Sequence, residues 1–148
     1  MRGDDSVGAV VAAALPASVR ALVELRHVGQ LMPDDLHGLS APVIVVDAVE
    51  GVEPGAMVDL PFDELIDVAS SGLTPASSHA LPIPLTLGVV ERLGGRLPDG
   101  RFLGVGAVSY EVGAPMSAPV AAAVGRCSAR LAEWIRVLAA SAGADSCA

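Results

Sequence analysis

The stretch Val43-Ile44-Val45-Val46-Asp47 decides the fold. It places four β-branched residues in a row after a proline, so both faces of the segment are apolar. An unbroken run of this kind is typical of a strand in a parallel sheet that helices cover on both sides. A carboxylate that follows such a run cannot be buried without partners, so we expect it at the solvated edge of the sheet.

The segments on either side of this strand alternate between helix and strand patterns. Apolar spacing and capping residues predict four helices, over residues 6–15, 33–39 and 79–93 and after Ser117. Three further strands are predicted, over residues 21–28, 56–60 and 101–108. A turn-rich functional loop with one helical turn is expected over residues 61–78. This alternation predicts a single α/β domain, residues 1–148, in which two helical layers enclose a mainly parallel, twisted sheet as a three-layer α/β/α sandwich.

The composition excludes several classes of partner. The chain of 148 residues has a formal net charge of −8, and its nine basic residues are all arginines that form no stripe, so nucleic-acid binding is not expected. No apolar run reaches the roughly 18 residues that a membrane-spanning helix needs. The N-terminus also lacks the basic and then apolar regions of a secretory signal. We therefore expect a cytoplasmic protein without membrane insertion, a monomer or weak oligomer.

Cys127 and Cys147 have the spacing of neither a disulfide framework nor a zinc site.

Polar residues occur where the carboxyl ends of the strands are expected to meet. Asp4 and Asp5 precede the first helix, Asp47 ends the central strand, and His79 opens a predicted helix. Ligands of open α/β sheets bind beyond this edge. Two carboxylates and one imidazole suit a borderline divalent metal such as nickel or zinc. Each residue also has a structural interpretation, as a helix cap or as a solvated strand end.

The order and spacing of these positions resemble the hydrogenase maturation endopeptidases. That family has a first-strand motif ending in G-N-x-x-x-x-D-(D/E)-x-x-G, and Gly3-Asp4-Asp5-Ser6-Val7-Gly8 is similar to its second half. Val43-Ile44-Val45-Val46-Asp47-Ala48-Val49 resembles the strand with the family's second ligand aspartate, and Ser77-Ser78-His79-Ala80-Leu81 resembles its S-x-H region. Phe102-Leu103-Gly104-Val105-Gly106 is similar to the family's late strand. The resemblance extends over nearly the whole chain.

The resemblance implies a metal-dependent endopeptidase. Its expected activity is to remove the C-terminal extension of a [NiFe] hydrogenase large-subunit precursor after nickel insertion. Asp5, Asp47 and His79 are then expected to be both the catalytic residues and the metal ligands. The metal is expected to be Ni²⁺ that the precursor carries, and Zn²⁺ or Cd²⁺ would take its place in crystals.

The chain departs from the family at its start. The family's first strand and its Gly-Asn turn have no counterpart before Gly3. A central parallel strand cannot be removed without exposing two rows of backbone hydrogen-bonding groups. We therefore expect that the natural protein is longer, or that another segment or chain fills the place of that strand.

Other interpretations differ in how well they fit. A phosphoacceptor receiver domain also pairs acidic residues with an aspartate at a strand end, but it needs a lysine and this chain has none. A nucleotide-binding scaffold is disfavoured because the two aspartates between Gly3 and Gly8 would repel phosphate. An inactive, degenerate homologue that acts as a binding scaffold stays open as the alternative. His27 and His37 have no comparable context and are expected to be structural or exposed.

Overall fold

A three-stranded mixed sheet forms the centre of the molecule. The structure, a computed structural model, describes residues 3–70 and 82–145. Its strands are β1 (Val43–Val49), β2 (Met57–Pro61) and β3 (Gly100–Gly106), in the spatial order β1-β3-β2. β1 runs parallel to β3, and β2 runs antiparallel to it. The parallel register places the carboxyl ends of β1 and β3 side by side.

Helices lie on both faces of the sheet. A short 3-10 turn (Gly3–Ser6) leads into the first helix. The helices are α1 (Val7–Ala13), α2 (Ala17–Arg20), α3 (Pro33–Leu36), α4 (Phe62–Ser70), α5 (Ile83–Arg92) and α6 (Ala118–Asp145). The predicted first, second and last helices and the strands over residues 43–47, 56–60 and 101–108 are thereby confirmed. Among the residues that the structure describes, no helix is long and apolar enough to cross a membrane.

The alternation of side chains along β1 creates two cores. Ile44, Val46 and Ala48 face the cluster formed with α1 and α6. Val45 and Val49 face the cluster formed with α3, α4 and α5. Because β1 is apolar on both faces, it packs against helices on each side of the sheet, which confirms the predicted α/β/α layering.

Residues 21–28 do not form the predicted strand. They run as irregular chain after α2, with Leu22 and Val28 exposed and Val23 packed against the core. The alternation of apolar residues over this segment is real, but a strand also needs a neighbouring backbone to pair with. None of the described strands pairs with this segment, so the prediction is wrong for this structure.

The segment after β2 is more helical than predicted. Instead of a loop with one helical turn, residues 62–70 form the nine-residue helix α4. Phe62 and Leu65 are buried at helical spacing, and Asp63 and Glu64 lie in the first turn, where the helix dipole favours acidic groups. The rest of the predicted loop, residues 71–78, lies outside the described residues. The next helix, α5, is described from Ile83.

The outer side of β1 lies against the start of the chain. In the observed register, the peptide groups of Ile44, Val46 and Ala48 point away from β3. The 3-10 turn and α1 both contact β1. At Gly8, an added Cβ atom would lie 2.5 Å from the Val46 carbonyl oxygen. The start of the chain therefore packs closely here, and the expectation of a further strand at this side stays a prediction.

A charged cluster joins the other edge of the sheet to α6. The Asp59 carboxylate accepts hydrogen bonds from Arg101 (2.9 and 3.0 Å), Arg130 (2.6 Å) and the indole N–H of Trp134 (3.1 Å). Arg101 also stacks over the Trp134 ring at 3.9 Å from its centroid. Burial would raise the pKa of Asp59, but the hydrogen bonds from Trp134, Arg130 and Arg101 outweigh it and hold this pKa below its usual value. The cluster therefore stabilises the packing of α6 on β2 and β3.

Candidate active site

Asp4 fastens the start of the chain to the loop that follows β3. Its fully buried carboxylate accepts backbone hydrogen bonds from Val108 (2.8 Å), Ser109 (3.1 Å) and Ser117 (2.7 Å). The Ser117 hydroxyl donates a fourth, at 2.9 Å. Burial would raise the pKa of Asp4, but these four donors outweigh it, so the pKa is lowered. Asp4 is a structural anchor rather than a cap of α1.

Gly3 makes this close approach possible. It has a φ of +52°, and a Cβ atom at this position would lie 2.6 Å from the Ser109 carbonyl oxygen. Two backbone hydrogen bonds extend the contact, from Gly3 N–H to the Ala114 carbonyl at 3.2 Å and from Asp4 N–H to the Ser109 carbonyl at 2.9 Å. The loop between β3 and α6 and the 3-10 turn therefore form one fixed unit.

This unit places Asp5 near the end of β1. Asp5 is half-buried and lies in the 3-10 turn, which contacts β1. Asp47 is also half-buried, and its Oδ1 atom accepts the backbone N–H of Ala48 at 2.8 Å. The structure thus brings two of the three predicted site residues to the carboxyl edge of the sheet, where the strand order predicts ligand binding.

The third predicted site residue, His79, lies outside the described residues. Over residues 3–70 and 82–145, no three His, Cys, Asp or Glu side chains are grouped closely enough to hold a metal ion. The ligand set of Asp5, Asp47 and His79 therefore stays a prediction. The described part of the chain contributes the two carboxylates to it.

Two further residues belong to this acidic region, and the sequence analysis did not identify them. The Tyr110 hydroxyl is buried and has no hydrogen-bond partner among the residues that the structure describes. Burial raises the pKa of Tyr110, and the carboxylates of Glu50, Asp47, Asp5 and Asp4 raise it further, in that order. One phenol is therefore under the influence of four carboxylates. Glu50 and Tyr110 follow the ends of β1 and β3, so position after a strand end is the sequence signal that would have found them.

Other reactive side chains lie elsewhere. Cys127 is fully buried in α6, and burial raises the pKa of its thiol, so it is not a nucleophile. His27 and His37 are exposed, which confirms their expected status. His37 lines an open cleft with Asp99, which lies at the amino end of β1, where its carbonyl accepts the N–H of Val43. This cleft is at the edge of the sheet opposite to Asp47.

Comparisons with known proteins identify the family of the chain. The sequence profile of the family described as "HycI: Hydrogenase maturation protease" matches residues 27–134, a range that contains Asp47 and His79 and begins after Asp5. No curated protein sequence matches the chain.

Solved structures with the same fold include the hydrogenase maturating endopeptidase HybD from E. coli. It is 18% identical, with a TM-score of 0.68 over 90% of this chain and 85% of that one. The [NiFe] hydrogenase maturation protease HybD from Thermococcus kodakarensis is 18% identical, with a TM-score of 0.64 over 91% and 92% of the two chains. HycI from Thermococcus kodakarensis KOD1 is 21% identical, with a TM-score of 0.58 over 91% and 85%. These likenesses confirm the fold, and the profile match shows that the chain belongs to the hydrogenase maturation proteases, a family of peptidases.

Proposed function

We propose that this peptidase removes the C-terminal extension of a [NiFe] hydrogenase large-subunit precursor after nickel has been inserted. The observation that carries the proposal is that the 3-10 turn with Asp5 lies against β1, which carries Asp47. The profile match supports a peptidase of this class. Among the described residues, no cysteine is accessible as an alternative nucleophile, because Cys127 is enclosed in the core.

The donor set suits a metal that arrives with the substrate. Two carboxylates, with His79 proposed as the third ligand, match the preference of Ni²⁺ for oxygen and nitrogen donors. Such a set is incomplete, so it holds a free ion weakly and completes the coordination of an ion that the precursor already carries. Zn²⁺ or Cd²⁺ would occupy the same ligands in crystals. Cleavage would thereby depend on nickel loading, as a check on assembly.

The residues of the chain would act mainly by placement. Asp4 holds the 3-10 turn rigidly, so Asp5 is presented next to the end of β1 with little freedom. Asp47 is oriented by the N–H of Ala48. Asp5 and Asp47 would hold the precursor's nickel, and a metal held there would supply a Lewis acid for the scissile carbonyl. A water molecule would add to that carbonyl, the peptide C–N bond would break, and the leaving amine would take up the proton.

We further propose that the protein acts in the cytoplasm, as a monomer or weak oligomer. An acidic chain with a net charge of −8 resists self-association through charge repulsion. Sedimentation velocity at micromolar concentration is expected to show mainly monomer. A stable dimer or tetramer under these conditions would contradict this part of the proposal.

The proposal is tested by processing of nickel-loaded and nickel-free precursor with equal amounts of protein. We expect cleavage of the loaded precursor alone, and loss of cleavage with Asp47→Asn or His79→Ala. Asp67→Asn is a matched control, because Asp67 is exposed on α4. Equal cleavage of both precursors would contradict the nickel requirement. Binding of the loaded precursor without cleavage would favour the degenerate scaffold.

A further inference from the structure

Three of the nine arginines lie together where α6 packs on β2 and β3, in a chain whose net charge is −8. The carboxylates hydrogen-bonded to them are Asp59 and Glu133, so three guanidinium groups face two carboxylates. The surface is named the arginine strip here and consists of Arg101, Arg126, Arg130 and Trp134. Its contacts with Asp59 hold α6 to the sheet, and this structural role uses only part of the hydrogen-bond donors present.

Each arginine of the strip keeps donors that the fold does not use. A guanidinium group has five N–H donors. Arg101 directs Nε and Nη2 to Asp59, whereas Arg130 directs Nε to the same carboxylate and Nη1 to Glu133. Arg126 is exposed and donates from Nη2 to a backbone carbonyl. Within the part of the chain that the structure describes, Nη1 of Arg101, Nη2 of Arg130, and Nε and Nη1 of Arg126 have no acceptor. These nitrogens can serve an added carboxylate.

The strip also has the apolar components of a protein interface. Trp134 is half-buried, and the guanidinium groups of Arg101 and Arg130 lie 3.9 and 4.8 Å from its ring centroid. Met57 on β2 is 38% exposed, and Val137, one helical turn after Trp134, is 49% exposed. Tryptophan, arginine and methionine are enriched at protein interfaces. The composition therefore indicates a surface for a protein segment rather than for a small ion.

The strip is continuous with the carboxyl edge of the sheet. Arg126 donates to the carbonyl of Gly55, and the Gly55 N–H donates to Gly106 at the end of β3. Arg101 lies near the other end of β3, where it is opposite Pro61. A segment bound along the strip would therefore run from the carboxyl edge, past β2, toward the amino end of β3.

We propose that the arginine strip binds an acidic segment of the hydrogenase large-subunit precursor while the scissile bond lies at the carboxyl edge. This inference rests on the proposed function. An acidic occupant fits because the net charge of the chain repels such a segment, whereas the strip offers it unused guanidinium donors. Carboxylates pair with guanidinium groups through charge-assisted hydrogen bonds. A second copy of this chain fits less well, because a symmetric dimer would place the same positive groups opposite each other.

The test is Arg126→Glu, which reverses one charge of the strip and leaves the Asp59 contacts in place. We expect the KM for the nickel-loaded precursor to rise by about 3-fold to 10-fold, with kcat unchanged, because only binding is lost. In about 0.5 M NaCl, the KM values of the variant and the wild type should converge, since salt screens exposed charges. Arg136→Glu is the matched control, because Arg136 is exposed on the same helix outside the strip. Its KM should stay close to that of the wild type.

A second readout uses the fluorescence of Trp134, the only tryptophan of the chain. A polyglutamate peptide is expected to change this fluorescence saturably in low salt, and a neutral Gly-Ser peptide of the same length is not. Arg126→Glu should weaken the response, and Arg136→Glu should keep it. Fluorescence that polyglutamate leaves unchanged would overturn the inference.

The outcomes separate this inference from the proposed function. Equal KM values for Arg126→Glu and the wild type would overturn the inference and leave the proposed function standing. If the wild type does not cleave the loaded precursor, the proposed function falls, and the polyglutamate titration alone decides whether the strip binds acidic segments. Should Arg126→Glu fail to fold, the salt dependence of the wild-type KM and the wild-type titration decide in its place.

Discussion

Replacing Asp4 by asparagine removes the charge that holds the 3-10 turn to the loop after β3. The carboxylate accepts three hydrogen bonds on Oδ2, from Val108, Ser109 and the Ser117 hydroxyl, and one on Oδ1, from Ser117 N–H. An asparagine amide has one acceptor oxygen and an NH₂ group that can only donate. If the amide oxygen takes the place of Oδ2, the NH₂ group faces the N–H of Ser117. Two donors then oppose each other in the interior.

The expected loss follows from these contacts. A hydrogen bond to a charged group contributes about 1.5–3 kcal/mol, and a buried donor left unpaired costs about 1–3 kcal/mol. The sum predicts a fall of about 2.5–6 kcal/mol in the free energy of unfolding for Asp4→Asn. Domains of this size have about 5–15 kcal/mol in total, so the variant should fold but be far less stable than the wild type.

Urea unfolding followed by fluorescence measures this loss, because Trp134 is the only tryptophan. The matched control is Asp67→Asn, which changes an exposed helical aspartate and is expected to stay within about 0.5 kcal/mol of the wild type. A loss below about 1 kcal/mol for Asp4→Asn would refute the assignment of Asp4 as the anchor. The family resemblance assigns Asp5 to the metal site and leaves Asp4 out, and the structure gives Asp4 the task of anchoring the 3-10 turn.

Three further predictions concern other parts of the molecule. The pKa of Asp59 is lowered in the folded protein, so its stabilising contribution is present above the unfolded pKa of about 3.9 and is lost as pH falls through the folded value. Urea unfolding between neutral pH and pH about 3 should show a steep loss of stability in acid, and Asp59→Asn should flatten it. Parallel curves for both proteins would contradict this prediction. Gly8→Ala should destabilise the fold by about 1–3 kcal/mol, because the added Cβ atom would press on the backbone of Val46. Gly125→Ala, in α6 with open space around it, should stabilise the fold by about 0.5–1 kcal/mol. A thermal unfolding experiment that ranks the two variants the other way would refute the close packing of Gly8 on β1. Asp5→Asn should abolish precursor processing in a gel assay while circular dichroism shows an intact fold, and retained processing would remove Asp5 from the site.

Local sequence pattern sufficed for the centre of the fold. The run of β-branched residues before Asp47 predicts a strand that is buried on both faces, and β1 packs into both cores. The same reasoning failed at residues 21–28, where the alternation is present but the pairing partner is not among the described strands. Strand formation depends on a neighbour that the segment itself does not encode. For α4, the acidic first turn and the spacing of Phe62 and Leu65 were sufficient signals that the prediction of a loop overlooked.

The candidate site also contains residues that local sequence predicts and residues that only tertiary contacts place. Asp47 could be predicted as a site residue because a carboxylate after an apolar run needs solvent or partners, although β1 continues two residues past it, to Val49, instead of ending at Asp47 as predicted. The role of Asp4 could not, because its partners are more than 100 residues away along the chain. Tyr110 follows Ser109, which is hydrogen-bonded to Asp4, and its side chain packs against the core formed with α1 and α6. Its position is a consequence of tertiary hydrogen bonds, which no local pattern records.

X-ray absorption at the nickel edge tests the central claim most directly, namely that the carboxyl edge of the sheet completes the coordination of nickel carried by the precursor. The spectrum of the nickel-loaded precursor would be recorded alone and then with an excess of this protein, at a temperature that slows cleavage. We predict new oxygen and nitrogen neighbours at the nickel when the protein is added, and fewer of them with Asp47→Asn. A nickel spectrum that the wild-type protein leaves unchanged, while the precursor is bound, would contradict the account.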